Sequence, residues 1–228
     1  MKLSGKFIVI DGPDGAGKGT QLTRLREFIE ADGGACVPAK DPGGTDIGDR
    51  IRHVLLDFDL SEMAPRCEAL LFMASRAQLV AQIVRPALEA GRTVLGDRFI
   101  SATCAYQVAA GFPRDDVIAL GHYAIGDNWP DLTFILDVPP EVGFERTGRT
   151  PQKAARRKRS NGSKQLDMFG DTAVDAMEAR PLDYHRRVRR LFCELPEAYP
   201  APVRVIDATR DADAVFSDIE KALRDAFC

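Results

Sequence analysis

The sequence is poor in the residues that build metal sites and disulfide frameworks. Its 228 residues include only five cysteines and three histidines. The cysteines, at positions 36, 67, 104, 193 and 228, form no CxxC pair and have no ligand-like spacing to the histidines. An odd number of scattered cysteines argues against a disulfide framework and against structural zinc. We therefore expect a reduced protein of the cytoplasm.

An excess of charge of one sign and long apolar runs are also missing. The sequence has 31 basic and 34 acidic residues, so its formal charge is −3. Such a balance gives no overall attraction to nucleic acid or to an anionic membrane. No apolar run approaches the roughly 18 residues of a membrane span, and no leader-like segment precedes the first predicted strand. We expect neither a nucleic acid nor a membrane among the partners.

Short apolar runs alternate with longer segments of helical period, a pattern typical of βαβ units. The predicted strands are 7–10, 35–39, 93–96, 132–136 and 203–206, and the clearest predicted helices are 20–31, 46–56, 65–90, 140–149, 174–195 and 212–226. Two shorter helices are predicted within 101–124. Uniformly apolar strands indicate a parallel sheet covered on both faces. The sequence therefore predicts a single domain over residues 1–228, an α/β fold with a doubly wound, five-stranded parallel sheet flanked by helices.

A glycine-rich loop, in the stretch IDGPDGAGKGTQL at 10–22, follows the first predicted strand. It fits the G-x-x-x-x-G-K pattern, and a helix begins directly after it. Glycines allow consecutive backbone N–H groups to surround phosphate oxygens, and a lysine adds a full positive charge. We predict a nucleotide polyphosphate site formed by Gly12, Pro13, Asp14, Gly15, Ala16, Gly17, Lys18, Gly19 and Thr20.

The loop departs from the strict motif at Gly19, where a metal-binding serine or threonine is usual. Thr20 is the nearest hydroxyl. Asp14 would be repelled by a polyphosphate unless a cation or a sugar hydroxyl lay between them, so it indicates Mg²⁺ or a second substrate. Asp97 ends the third strand, at the sheet edge where open α/β folds bind ligands. We expect Mg²⁺ near Asp14 and Asp97, in part through water, with Thr20 in support.

A basic segment covers residues 146–164, where eight Lys and Arg residues occur together with Gly, Ser, Asn and Pro and no acid occurs. It predicts a mobile basic loop. A charged loop that is merely solvated is the simpler interpretation, and contact with phosphates is the functional one.

A series of stretches resembles the thymidylate kinase family, a P-loop class of nucleoside monophosphate kinases. They are DGPDGAGKGTQ at 11–21, DPGGTDIGDRIR at 41–52, LLFMASRAQ at 70–78, GDRFISATCAYQ at 96–107, PDLTFILDVPPEVGFERTGR at 130–149 and VIDATRDADAVFSDI at 205–219. They occur in the family order and cover nearly the whole chain. The resemblance implies transfer of the γ-phosphoryl group of ATP to dTMP, with Mg²⁺, by a homodimer.

The resemblance also implies an acceptor site. Phe72 would stack on thymine and Arg76 would donate to a base carbonyl, and the two lie on one side of a predicted helix. Packing of Phe72 in a core or a dimer seam is the alternative. Thr103 would lie near the base, and the ring of Tyr106 would block a ribose 2′-hydroxyl. Further implied contacts are Asp14, Pro42 after a cis peptide, Arg98 and Gln107, for which a solvent-facing amide on a helix is the alternative.

The implied catalytic residues are Lys18, Asp14, Arg98 and an arginine of a lid at about 146–173. We favour Arg149, with arginines 156, 157 and 159 as alternates, because Gly15 follows Asp14 and the loop itself supplies no arginine. An arginine of this kind accelerates phosphoryl transfer by a factor on the order of 10³ to 10⁵. The lid is roughly twenty residues longer than is usual for connections in such folds.

Two other functions remain open from the sequence. One is a kinase for another pyrimidine monophosphate such as dUMP. The other is a nucleic-acid-binding or regulatory ATP-binding module, suggested by the basic loop. The near-neutral total charge and the lack of aromatic residues within that loop argue against the second.

Overall fold

The computed structural model describes residues 3–57, 63–148 and 180–227. The strands are β1 (Phe7–Asp11), β2 (Cys36–Lys40), β3 (Thr93–Asp97), β4 (Leu132–Asp137) and β5 (Val203–Asp207). The helices are α1 (Lys18–Ala31), α2 (Asp46–Asp57), α3 (Pro65–Leu79), α4 (Arg85–Glu89), α5 (Ile100–Ala109), α6 (Arg114–Ile125), α7 (Pro140–Arg146), α8 (Leu182–Cys193), α9 (Leu195–Ala198) and α10 (Ala212–Phe227).

The strands form one five-stranded sheet in the order β2-β3-β1-β4-β5, and all four neighbouring pairs are parallel. The predicted α/β class and the predicted parallel sheet are confirmed. Each strand lies within a residue of its predicted position, because short apolar runs bounded by turns leave little freedom in the assignment. The central strand β1 leads directly into the glycine-rich loop.

Alternate residues of β1 enter two different cores. Phe7 and Val9 pack on the side of α3, α5 and α8, whereas Ile8 and Ile10 pack on the side of α1 and α10. Successive side chains of a strand point to opposite faces, so a strand that is apolar throughout must be covered on both. This burial contributes about 1.5 to 3 kcal/mol for each large apolar side chain. It holds β1 rigidly beneath the loop that it carries.

The predicted helix 65–90 is interrupted rather than continuous. A π-helical turn, Val80–Val84, separates α3 from α4, and Pro86 lies in the first turn of α4. Proline lacks an N–H donor and clashes with a carbonyl of the preceding turn, so the regular hydrogen-bond ladder cannot run through it. The change of helix type before Pro86 follows from this.

The rod from Pro65 to Glu89 is, within the described parts of the chain, the one helical stretch long and apolar enough to span a membrane. The sequence analysis had predicted no apolar stretch of that length. Half of the rod's most apolar 18-residue stretch is buried inside the protein. Its first helix, α3, packs against α2, α5 and α6. It therefore has the surroundings of a core helix.

The remaining helices lie close to their predicted positions. The two short helices expected within 101–124 are α5 and α6. The helix predicted at 140–149 ends at Arg146, followed by a turn with Gly148 at a φ of 67°. Of the helix predicted at 174–195, the described part is α8, and residues 174–179 lie outside the described residues.

Candidate active site

The glycine-rich loop packs tightly against β4 and α7. A Cβ atom at Gly12 would lie 2.4 Å from the carbonyl oxygen of Leu136, and one at Gly15 would lie 2.2 Å from that of Gly143. Both glycines also have positive φ angles, 140° and 75°, which side-chain-bearing residues rarely adopt. These two positions therefore require glycine for space as well as for backbone conformation. The loop is fixed next to the helix that leads into the predicted lid.

Lys18 begins α1 and turns back over the loop. Its Nζ donates to the carbonyl oxygens of Gly12, at 3.2 Å, and of Pro13, at 3.0 Å. Burial of the ammonium group, followed by the nearby charge of Arg98, lowers the pKa of Lys18 to about 8. A polyphosphate bound in the loop would restore the preference for the charged form.

Arg98 lies directly after β3 and reaches the same loop. Its Nη1 donates to Asp11 Oδ1 and to the carbonyl oxygen of Gly12, both at 3.0 Å. Its Nη2 donates to Asp14 Oδ1 at 2.6 Å. The φ angle of Arg98 is 65°, a left-handed conformation that costs energy for an arginine and concentrates at functional sites. The structure thus brings together Lys18, Arg98 and Asp14, three of the predicted catalytic residues.

Asp11 is a buried carboxylate that the sequence analysis did not assign. It accepts hydrogen bonds from Ser101 Oγ at 2.6 Å and from the Gly12 backbone N–H at 2.8 Å, in addition to Arg98. Charge-assisted contacts of this kind are short and directional. Asp11 therefore fixes the guanidinium of Arg98 against the loop.

A cavity beside the loop is lined by every residue that the resemblance assigns to the acceptor. Its described lining is Asp14, Asp41, Pro42, Arg52, Leu56, Phe72, Arg76, Arg98, Ala102, Thr103, Tyr106 and Gln107. The helices α2, α3 and α5, the loop after β2, the glycine-rich loop and the residue after β3 contribute these residues. The Asp41–Pro42 peptide bond is cis, as the resemblance implied. We call this the acceptor cavity.

Arg76 is held at the floor of the acceptor cavity. Its Nε donates to Asp41 Oδ2 at 2.7 Å, and its Nη2 donates to the carbonyl oxygen of Phe99 at 3.0 Å and to Thr103 Oγ1 at 3.3 Å. Arg76 is 1% exposed and Asp41 is 2% exposed, and burial raises the pKa of Asp41. The guanidinium is thereby held in a fixed orientation, which suits recognition of a carbonyl oxygen.

Tyr106 forms another wall of the acceptor cavity. Its ring packs edge-on against Phe192 with centroids 5.8 Å apart, and the Arg98 guanidinium lies over it at 5.2 Å. The Tyr106 hydroxyl lies 3.4 Å from Asp14 Oδ2. These contacts on both sides leave the ring little freedom to move.

A second cavity lies on the other side of the loop. Its described lining is Gly15, Ala16, Gly17, Thr20, Gln21, Arg146, Thr147, Ala208, Arg210, Asp211, Ala212 and Val215. Arg146 donates to the carbonyl oxygens of Ala208 at 2.8 Å and Thr209 at 3.0 Å, so α7 is tied to the loop after β5. We call this the donor cavity. Arg149 and the rest of the predicted lid, 149–173, lie outside the described residues.

The predicted magnesium ligands line three different cavities around the glycine-rich loop. Asp14 lines the acceptor cavity, Thr20 lines the donor cavity, and Asp97 lines a third cavity between α1 and β2. Within the described ranges, His, Cys, Asp and Glu side chains form no group of three that could hold a metal ion. A magnesium cage made of protein ligands alone does not fit these residues.

The sequence analysis missed several polar residues around the acceptor cavity. Asp11 and Asp41 each stand at or just after the end of a strand, and that position at the carboxyl edge of the sheet could have marked them. Arg52 lines the cavity and donates to the carbonyl oxygen of Pro42 at 3.0 Å. Glu68 lies one turn before Phe72 on α3, and no simple pattern marks a buried carboxylate there.

Comparison with known proteins agrees with this geometry. A family model described as thymidylate kinase matches residues 10–219. A thymidylate kinase of Desulfosudis oleivorans is 40% identical over 218 residues, which cover 95% of each chain. Another, of Nitratidesulfovibrio vulgaris, is 36% identical over 219 residues, covering 96% of this chain and 95% of its own. With matches of this length and identity, the chain belongs to the thymidylate kinase family.

Proposed function

We propose that this chain is an enzyme that phosphorylates dTMP to dTDP with ATP as the donor. Membership of the thymidylate kinase family supports the reaction ATP + dTMP = ADP + dTDP. One observation carries the proposal within the site. Arg98 contacts the glycine-rich loop through Gly12 and also lines the acceptor cavity, so a single guanidinium would reach both the donor phosphates and the acceptor phosphate. The reaction is proposed for one domain over residues 1–228.

ATP would bind with its phosphates in the glycine-rich loop. The loop N–H groups and Lys18 Nζ offer hydrogen bonds and positive charge to the phosphates, and the start of α1 adds its partial positive charge. The adenosine would occupy the donor cavity, between the loop and the segment from Ala208 to Ala212.

dTMP would bind in the acceptor cavity. Phe72 would stack on the thymine ring, and Arg76 would donate to a base carbonyl beside Thr103 and Gln107. The fixed ring of Tyr106 would exclude a 2′-hydroxyl and so favour deoxyribose. Arg52, which lines the cavity together with Pro42, would bind the acceptor phosphate. Guanidinium groups bind phosphates in a bidentate manner.

Phosphoryl transfer would proceed in line between the two cavities. The chain holds donor and acceptor oxygens in line, and Lys18 and Arg98 neutralise the charge that spreads over them in the transition state. Asp14 orients Arg98 and lies where it can also contact the acceptor sugar. Arg149, or another arginine of the predicted lid, would add charge from the donor side.

Magnesium fits this site only if the phosphates supply most of its ligands. Mg²⁺ commonly keeps several waters and takes one or two carboxylates together with phosphate oxygens. We propose Asp97 and Asp14 for that role, with Thr20 in support. Of the two carboxylates, Asp14 is already engaged with Arg98 at 2.6 Å. When bound, the ion would draw negative charge from the phosphates.

The test is to assay the protein with ATP and each of a panel of nucleoside monophosphates. The formation of ADP and of the diphosphate product would be measured. We expect dTMP to give the highest kcat/KM, with dUMP lower and dCMP much lower. A kcat/KM for dUMP above that for dTMP would favour a kinase for another pyrimidine monophosphate. RNA binding that survives saturation by ATP and dTMP, without dTDP formation, would favour a nucleic-acid-binding module instead.

We further propose a homodimer formed through helices α2 and α3. Large apolar side chains are exposed on their outer surface: Ile47 at 54%, Val54 at 41% and Leu70 at 47%. Ile47 and Val54 are seven residues apart and share one face of α2. Exposed apolar residues clustered on adjoining helices are typical of protein interfaces. We propose that this homodimer acts in the cytoplasm, without a membrane or nucleic-acid partner.

A further inference from the structure

Glu68 is a buried carboxylate behind the acceptor cavity. Its residue is 1% exposed, and within the described chain its carboxyl group contacts two other side chains. Gln107 Nε2 donates to Glu68 Oε1 at 3.0 Å. Arg180 Nη2 lies 3.3 Å from Oε1 and 3.2 Å from Oε2. Burial of a charge is unfavourable unless the charge is paired and hydrogen-bonded, so this arrangement depends on both partners.

The charge of Glu68 determines which way the amide of Gln107 faces. A carboxylate paired with an arginine can only accept hydrogen bonds, whereas a side-chain amide has a donor end and an acceptor end. The NH₂ group of Gln107 must therefore face Glu68. The carbonyl Oε1 then lies on the opposite side of the amide, and Gln107 is a lining residue of the acceptor cavity.

We propose that Glu68 is a positioning residue that fixes this orientation and thereby sets the base specificity of the acceptor site. The inference rests on the proposed function, because it requires a pyrimidine base in the acceptor cavity. With its amide fixed, Gln107 presents an acceptor to the base edge. Thymine and uracil carry an N3–H donor there, whereas cytosine carries an N3 acceptor. Two acceptors facing each other leave both unpaired, which a buried site rejects.

Arg180 joins the same network from the segment before α8. It donates to Tyr184 Oη at 2.9 Å, and Tyr184 Oη donates to the carbonyl oxygen of Tyr106 at 2.8 Å. The pair of Arg180 and Glu68 is thus connected to both Tyr106 and Gln107 on α5. This arrangement maintains Glu68 as an acceptor and limits rotation of the Gln107 side chain.

The test is Glu68→Gln in the full-length protein. A glutamine at position 68 can offer either end of its amide, so Gln107 is free to turn its NH₂ group toward the cavity. We expect kcat/KM for dTMP and for dUMP to fall together by about tenfold, through KM, while that for dCMP is unchanged. The dTMP to dCMP ratio therefore contracts about tenfold, and the dTMP to dUMP ratio stays constant.

The matched control is Glu194→Gln, which removes another carboxylate partner of an arginine. Glu194 Oε2 lies 2.7 Å from Arg114 Nη2, outside both cavities. The dTMP to dCMP ratio and the dTMP to dUMP ratio should both be unchanged in this variant. An equal fall for dTMP, dUMP and dCMP in Glu68→Gln would overturn the proposal, because it would indicate a structural role alone.

A second variant keeps the proposal testable if Glu68→Gln does not fold. The double variant Glu68→Gln with Gln107→Glu exchanges the two side chains. The carboxylate at position 107 then accepts a hydrogen bond from the amide at position 68 and still presents an oxygen to the base. We expect its dTMP to dCMP ratio within about threefold of the original chain, and a ratio near one would overturn the proposal. Failure of the unaltered chain to phosphorylate dTMP would contradict the proposed function itself.

Discussion

Arg98 Nη2 lies 2.6 Å from Asp14 Oδ1, so the end of β3 and the loop after β1 are joined by an ion pair that lines the acceptor cavity. The same guanidinium contacts Asp11 Oδ1 at 3.0 Å. With carboxylates on two sides, Arg98 is oriented before any nucleotide binds. Preorganised charge of this kind stabilises a transition state without reorganisation during the reaction.

Arg98→Lys should lower kcat by about 10² to 10³, because a lysine keeps the charge but loses the fork that reaches Asp11, Asp14 and the phosphates together. Steady-state kinetics with ATP and dTMP would measure this. Arg114→Lys is the control, since Arg114 pairs with Glu194 away from the cavities and its replacement should leave kcat unchanged. A kcat for Arg98→Lys within threefold of the original would contradict the role of Arg98.

ATP binding at pH 8.5 should take up protons through Lys18. Its pKa is about 8 in the nucleotide-free protein, so at this pH much of the ammonium has lost its proton, and the phosphates favour its return. Calorimetry in two buffers with different ionisation enthalpies would measure the uptake. Lys18→Arg should abolish it, because a guanidinium stays charged. Proton release by the original chain would contradict the prediction.

The low pKa of Lys18 also affects stability. The unfolded lysine has its usual value of 10.5, so between pH 8 and 10.5 the unfolded chain holds more protons than the folded one. The contribution of Lys18 to the free energy of unfolding therefore increases as the pH rises through this window. Comparison of urea unfolding in the original chain and in Lys18→Met across this range would isolate the contribution.

Asp41→Asn should lower the free energy of unfolding by about 3 to 5 kcal/mol, because it leaves the guanidinium of Arg76 buried without its charged partner. Urea unfolding would measure the loss. The double variant Asp41→Leu with Arg76→Met should lose less, since it leaves no buried charge. Equal losses in the single and double variants would show that packing, rather than the charge pair, accounts for the effect.

Tyr106→Ala should relax discrimination against ribose, because removal of the ring opens space beside the 2′ position of the acceptor. We expect the ratio of kcat/KM for dTMP to that for ribothymidine monophosphate to fall about tenfold. Tyr106→Phe retains the ring and should retain the ratio. If the phenylalanine variant also lost its preference, the hydroxyl near Asp14 would be the discriminating group instead.

Leu70→Glu should convert a homodimer into a monomer, since it places a charge in the proposed apolar interface of α2 and α3. Sedimentation velocity would measure the change. Val205→Glu is a suitable control, because Val205 is also partly exposed, at 38%, but lies on β5. A monomeric original chain would contradict the proposed homodimer.

Much of the fold could be predicted from the sequence. Strand positions follow from short apolar runs, and the parallel arrangement follows from strands that are apolar on both faces, as the alternating burial of β1 confirms. The break before Pro86 was missed because hydrophobic period alone gives no sign of a change in helix type. The acceptor residues taken from the family resemblance do come together in one cavity.

The sequence by itself determined the order of elements, the glycine-rich loop and the family, since these depend on local patterns and on ordered motifs. Only the tertiary structure decided which charges meet. Arg76 pairs with Asp41 from 35 positions away, and Glu68 meets Gln107 from 39 positions away. Such partners have no periodic relation along the chain, because the packing of α3 against the sheet and α5 brings them together. That packing also turns the NH₂ group of Gln107 toward Glu68.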